Sequence, residues 1–136
     1  MEYKVKHLEM IQQIINRMAN NCLNVKGWLV AIITAGFIFI SKDYSRYGIL
    51  VSLILIIGFS FVDAKYLQYE RKYRKLYEIV CESENTDFSM NINREEINTF
   101  KKCNYKDCYL SISILLPYSI LIAYVAVLFG ITYICI

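Results

Sequence analysis

Between residues 65 and 77, cations alternate with phenol rings: Lys65, Tyr66, Tyr69, Arg71, Lys72, Tyr73, Arg74, Lys75 and Tyr77. Ammonium and guanidinium groups hold phosphates, and rings stack on bases. The pattern therefore suits a protein that grips single-stranded nucleic acid or a nucleotide without reading sequence. The plainer reading, which the residues alone favour, is that these cations enforce membrane topology and touch anionic lipid headgroups. A second group consists of amides, Asn16, Asn20, Asn21 and Asn24. Asn20 and Asn24 stand one helical turn apart, and Arg17, Asn21 and Asn24 form a neighbouring stripe. Amides facing hydrocarbon each cost several kcal/mol, so these face either other helices of a closed bundle or the water of a vestibule in an oligomer. Asp63 is the third candidate, a carboxylate that either pairs with nearby Lys65 or lines a cation path.

The remaining reactive side chains form no catalytic pattern. There is no glycine-rich phosphate loop and no serine or cysteine nucleophile with a credible base. The single histidine, His7, reads as an exposed residue of an amphipathic helix. Four residues separate Cys103 from Cys108 and no second histidine exists, which does not match a zinc site. No enzyme activity, metal or cofactor is expected. The opening residues, MEYKVKHLEMIQQIINRMANN, lack the unbroken apolar stretch and small-residue cleavage site of a signal peptide. The five cysteines, Cys22, Cys81, Cys103, Cys108 and Cys135, are therefore expected as reduced thiols.

The elements that must position these groups are membrane helices. Of 136 residues 57% are hydrophobic and 20% charged, with a mean hydropathy of +0.36, a balance foreign to a soluble domain of this size. The apolar residues fall into three blocks, around 27–41, 47–64 and 109–136, with charge between them. Residues 109–136 carry no charge, and at a rise of about 1.5 Å per residue they cross a core of about 30 Å with some tilt. Pro117 within them kinks that helix or marks its first turn. The second block, YGILVSLILIIGFSFVDA, is close to the minimum spanning length. The first, GWLVAIITAGFIFIS, is short and must borrow from Cys22 to Lys26, where Lys26 snorkels and Trp28 joins the headgroup belt. The loop SKDYSRY makes spans one and two a hairpin.

The fold expected is all-α, an oligomer of chains with three transmembrane helices. An amphipathic cytoplasmic helix covers 1–22, spans cover 23–41, 47–64 and 109–136, and a helical cytoplasmic segment covers 65–108. Leu8, Ile11, Ile15, Met18 and Cys22 form the apolar stripe of the first helix, which lies on the bilayer surface or against the central segment. After span two the chain lacks glycine and proline through AKYLQYERKYRKLYEIV, so one helix runs from Gly48 to Glu82, with Glu70 and Arg74 as a favourable pair. SENTDFSMN breaks it, and a short helix over 94–106 leads into span three, with Asn93 as its cap and Glu95 and Glu96 in its first turn.

Lysine and arginine set the orientation, since cytoplasmic segments hold the excess. Lys4, Lys6, Arg17 and Lys26 precede span one, and Lys42 and Arg46 occupy the first loop. Lys65, Arg71, Lys72, Arg74, Lys75, Arg94, Lys101, Lys102 and Lys106 lie between spans two and three. The amino terminus and central segment therefore belong in the cytoplasm, and the carboxyl terminus ends outside or within the outer leaflet.

At HLEMIQQIINRMANNCLNVKGW, FVDAKYLQYERKYRKLYEIV and TDFSMN the chain resembles a family of small bacterial membrane proteins, the Hailong-type channel effectors of anti-phage defence. The resemblance covers nearly the whole length, including the spacing to the third span. It implies a homo-oligomeric ion channel, a tetramer, held closed by a short DNA oligomer that a partner nucleotidyltransferase makes; loss of the DNA would open the pore and depolarise the infected cell. Carried onto this chain by charge and position, the ligand contacts are Lys65, Arg71, Lys72, Arg74, Lys75, Lys101 and Lys102. The pore residues are Asn20, Asn21, Asn24 and Asp63. Two other readings fit the same residues: a holin-like lesion former, which would release folded proteins, and a non-conducting anchor that recruits a soluble partner.

Overall fold

A computed structural model describes residues 2–39, 45–84 and 87–134. The first loop around Lys42, and Cys135, lie outside the described residues. All regular structure among those described is helical: α1 (Glu2–Phe39), α2 (Ser45–Glu82), α3 (Glu95–Asn98), a 3-10 turn (Lys101–Cys103), α4 (Tyr105–Tyr109) and α5 (Ile112–Ile134).

α1 and α2, each 38 residues long, form an antiparallel pair. At about 1.5 Å per residue each is roughly 57 Å long, nearly twice the thickness of a hydrocarbon core. Their register is read from cross-helix contacts: Lys4 Nζ donates to the carbonyls of Cys81 and Ser83, both at 2.8 Å, and Lys26 meets Asp63. Two separate cores follow. Ile11 and Ile15 of α1 pack with Leu76 and Val80 of α2 and are covered by Ile97 and Cys103. Further along, Leu29 and Ile33 pack with Ile56, and α5 supplies Ile114, Tyr118 and Val125. The surroundings of the two cores differ. Around the second, Trp28, Ile32, Leu50, Ile54, Ile57, Ile112, Leu116, Ile120 and Val127 all point outward. A helix in water buries its apolar stripe; helices apolar all round suit lipid.

Among the described residues one helix, Tyr47–Glu82, is long and apolar enough to cross a membrane, and only 28% of its most apolar stretch is buried. A second apolar stretch, Ile112–Leu128, is shorter.

The stripe Leu8, Ile11, Ile15, Met18 and Cys22 turns toward α2, which settles its direction in favour of the central segment: Ile11, Ile15 and Cys22 are buried, with Leu8 and Met18 half-buried. His7 corrects its reading as a surface residue. It is fully buried one turn before Ile11, its ring 5.3 Å from that of Phe88, while Tyr3 meets Phe88 edge-on at 6.5 Å. Phe88 reaches that position from a backbone with φ 54, a left-handed conformation that non-glycine residues seldom adopt.

The helix expected over 94–106 is instead three short pieces. Ile97, Cys103 and Cys108 all bury against α2. On one straight helix Cys103 would point some 120° away from both others at 3.6 residues per turn, so the chain bends at extended Phe100 and Asn104. Thr99 Oγ1 also donates back to the Glu95 carbonyl at 2.8 Å, ending the first piece. Arg94, not Asn93, is the residue before α3, and it makes no side-chain cap. α5 begins at Ile112 with Pro117 in its second turn, where Ser113's carbonyl loses a helical donor.

Candidate functional site

On α2, residues 71, 74, 75 and 78 recur at three- and four-residue spacing and so share one face. The bend after α3 sets the 3-10 turn opposite that face, with Cys103 turned inward and Lys101 and Lys102 outward. Between them lies an open cleft of about 760 Å³, lined by Arg71, Arg74, Lys75, Glu78, Phe100, Lys101, Lys102, Cys103 and Asp107. Five of the seven cations expected to contact ligand thus meet in one place. The other two do not. Lys72 donates to Asn98 Oδ1 at 2.9 Å beside the cleft. Lys65 sits toward the apolar end, its Nζ 5.0 Å from the centre of the Tyr105 ring, in a cluster where Tyr109 stacks on Phe61 at 5.2 Å.

The cleft cations differ in how far their charge is already answered. Arg74 pairs with Glu70 at 2.8 Å, the i,i+4 pair legible in the sequence. Lys75 pairs with Glu78 at 2.8 Å, a hydrogen bond that holds its pKa above the usual lysine value, and its Nζ also lies 4.9 Å from the centre of the Phe100 ring. Arg71 bonds only uncharged acceptors. Lys101 and Lys102 are exposed and their ammonium groups have no partner among the described residues. A pocket with unanswered positive charge and one ring at its edge can hold a phosphate-bearing ligand with a flat group. Phe100, Glu78 and Asp107 were absent from the sequence-based set. Phe100 continues the cation-and-ring pattern directly into Lys101 and Lys102, which is the signal that could have found it.

The amides and Asp63 part company. Asn20 and Asn24 are exposed and Asn21 half-buried on the outer surface of α1, and Asn16 accepts from Gln12 Nε2 at 3.2 Å. Asp63 is fully buried in the seam between the two cores, and its partner is Lys26 of α1, not Lys65. The Cys22 thiol and the Tyr118 hydroxyl lie beside the same carboxylate. Cys22 Sγ approaches the Asp63 carbonyl at 3.9 Å.

Cys22, Cys81, Cys103 and Cys108 are free thiols. Burial pushes the Cys103 and Cys108 thiols up, with less thiolate at any given pH as the consequence. Cys81 is exposed. At pH 8, mass spectrometry of an iodoacetamide time course will show Cys103 and Cys108 trailing Cys81 by about tenfold or more, a lag that narrows as pH rises toward their own pKa values.

Compared with known protein families, with curated proteins and with solved structures, the chain matches none.

Proposed function

We propose that this chain is a three-span effector of bacterial anti-phage defence that forms a homo-oligomeric ion channel in the inner membrane, gated by a nucleic-acid or nucleotide signal in its cytoplasmic cleft. The observation that carries the reading is the cationic cleft itself, built on the same uninterrupted helix whose other half is the apolar span. A rigid helix common to sensor and span gives a bound anion a mechanical route to the membrane. Within one chain Leu29, Ile33, Ile56, Ile114, Tyr118 and Val125 fill the space between the helices in the second core. Conduction therefore requires several copies, with the outward Asn20 and Asn24 ringing a vestibule between them at the cytoplasmic mouth. The excess of lysine and arginine on the cleft side puts that side in the cytoplasm.

The test is ion flux into liposomes that hold the purified full-length protein, with and without short single-stranded DNA. Flux of small cations or anions that the DNA alters is the expected result. A purified oligomer that passes no ions under either condition would overturn the channel and favour an anchor, and release of trapped folded protein would identify a holin-like lesion.

A further inference from the structure

Arg71 keeps different company from the other cleft cations. Its Nη1 donates to the Lys102 carbonyl at 3.1 Å and approaches Cys108 Sγ at 3.6 Å, and its Nη2 donates to Ser111 Oγ at 2.9 Å. All three acceptors are uncharged. Arg74 and Lys75 have carboxylates; Arg71 has no ion pair among the described residues. Ser111 is where α5 begins, its carbonyl accepting the N–H groups of Ile114 and Leu115, both at 2.9 Å. One guanidinium in the cleft wall therefore holds the turn that presents Lys101 and Lys102, and also holds the first residue before an apolar helix.

We propose that Arg71 is the positioning residue that couples occupancy of the cleft to α5: a phosphate-bearing ligand drawn in by Lys101 and Lys102 takes the guanidinium away from Ser111 and frees the start of α5 to move. This rests on the cleft reading above and adds its output. A guanidinium bond to a phosphate oxygen, in which both partners are ionised, is shorter and stronger than one to a neutral hydroxyl. A guanidinium carries five N–H donors in a planar fork, so Arg71 can keep the Lys102 carbonyl while exchanging its other edge. A ligand shifts a conformational balance only through its differential contacts with the two states, and here the differential contact is that exchange of acceptor. Ser111 does not line the cleft, and Arg71 is the side chain that touches both.

The experiment uses the full-length protein in liposomes, a fluorescent single-stranded oligothymidylate as probe, and the variants Ser111→Ala and Ser111→Thr. Binding is followed by anisotropy and conduction by ion flux. Without its hydroxyl competitor, Ser111→Ala should bind the probe about two- to fivefold more tightly, and should conduct without probe as the parent does at saturation, because the two effects are linked. Ser111→Thr, which keeps a hydroxyl, should restore the parent's dependence on probe. A Ser111→Ala protein that binds more weakly, or whose flux still follows the probe as the parent's does, overturns the coupling and leaves the cleft standing. A parent protein that does not bind the probe overturns the cleft and the coupling together.

Discussion

Lys26→Met will lower stability by roughly 3–5 kcal/mol, the loss expected when one partner of a buried ion pair is removed and the other is left buried without it. Asp63 has no exposed surface, so water cannot take the place of the missing ammonium. Lys26 keeps a quarter of its side chain exposed, at 25%, so the reverse deletion is gentler: in Asp63→Asn the ammonium can extend to water along its methylene stem. The order of the two losses is thus fixed by their unequal burial. Lys26→Met combined with Asp63→Leu should recover most of the deficit, since two apolar side chains need no mutual answer, and the coupling energy of that cycle should reach about 2 kcal/mol or more. Thermal unfolding in detergent measures all four proteins. Equal, small losses for the two single variants would show that water reaches the seam and that the pair does not hold α1 to α2.

The gross fold was legible because it rests on local pattern. The unbroken helix expected from Gly48 to Glu82 appears as Ser45–Glu82, since nothing in that stretch breaks a helix. The apolar stripe on α1 was legible for the same reason, one face repeating every three or four residues. What failed depended on partners distant in the chain. His7 is buried because Phe88 folds back over it, and no spacing near residue 7 announces a ring eighty-one positions later. Asp63 was set against Lys65, its neighbour in sequence, whereas an antiparallel pair brings Lys26 to it from the other helix. The single helix over 94–106 failed because burial of Ile97, Cys103 and Cys108 on one surface outweighs helical continuity. Five of the seven cations expected to share a ligand meet in one cleft, yet charge alone did not separate Arg71 and Arg74 from Lys65 and Lys72. The missing information was the direction of each side chain around α2 and the position of the turn facing it.

Lys101→Glu with Lys102→Glu should weaken binding of short single-stranded DNA by about a hundredfold or more and flatten its dependence on salt. Each phosphate contact in a single-strand complex contributes about 0.7 to the slope of log affinity against log salt, so loss of two contacts should reduce that slope by about 1.4. These lysines dominate because their charge is unanswered: Arg74 and Lys75 each offset a carboxylate before any ligand arrives. Reversal at Lys101 and Lys102 also places two acids beside Glu78 and Asp107 in the same cleft, which turns attraction into repulsion. Both side chains are exposed and partnerless among the described residues, so thermal stability should change by less than about 0.5 kcal/mol, as surface substitutions usually do. Lys65→Glu is the decisive control, the same reversal at one lysine of α2 that lies outside the cleft. If Lys65→Glu weakened binding as much per charge as the pair at 101 and 102, the DNA would be responding to a diffuse basic field along α2. A steep loss confined to Lys101 and Lys102 requires a ligand seated between α2 and the 3-10 turn.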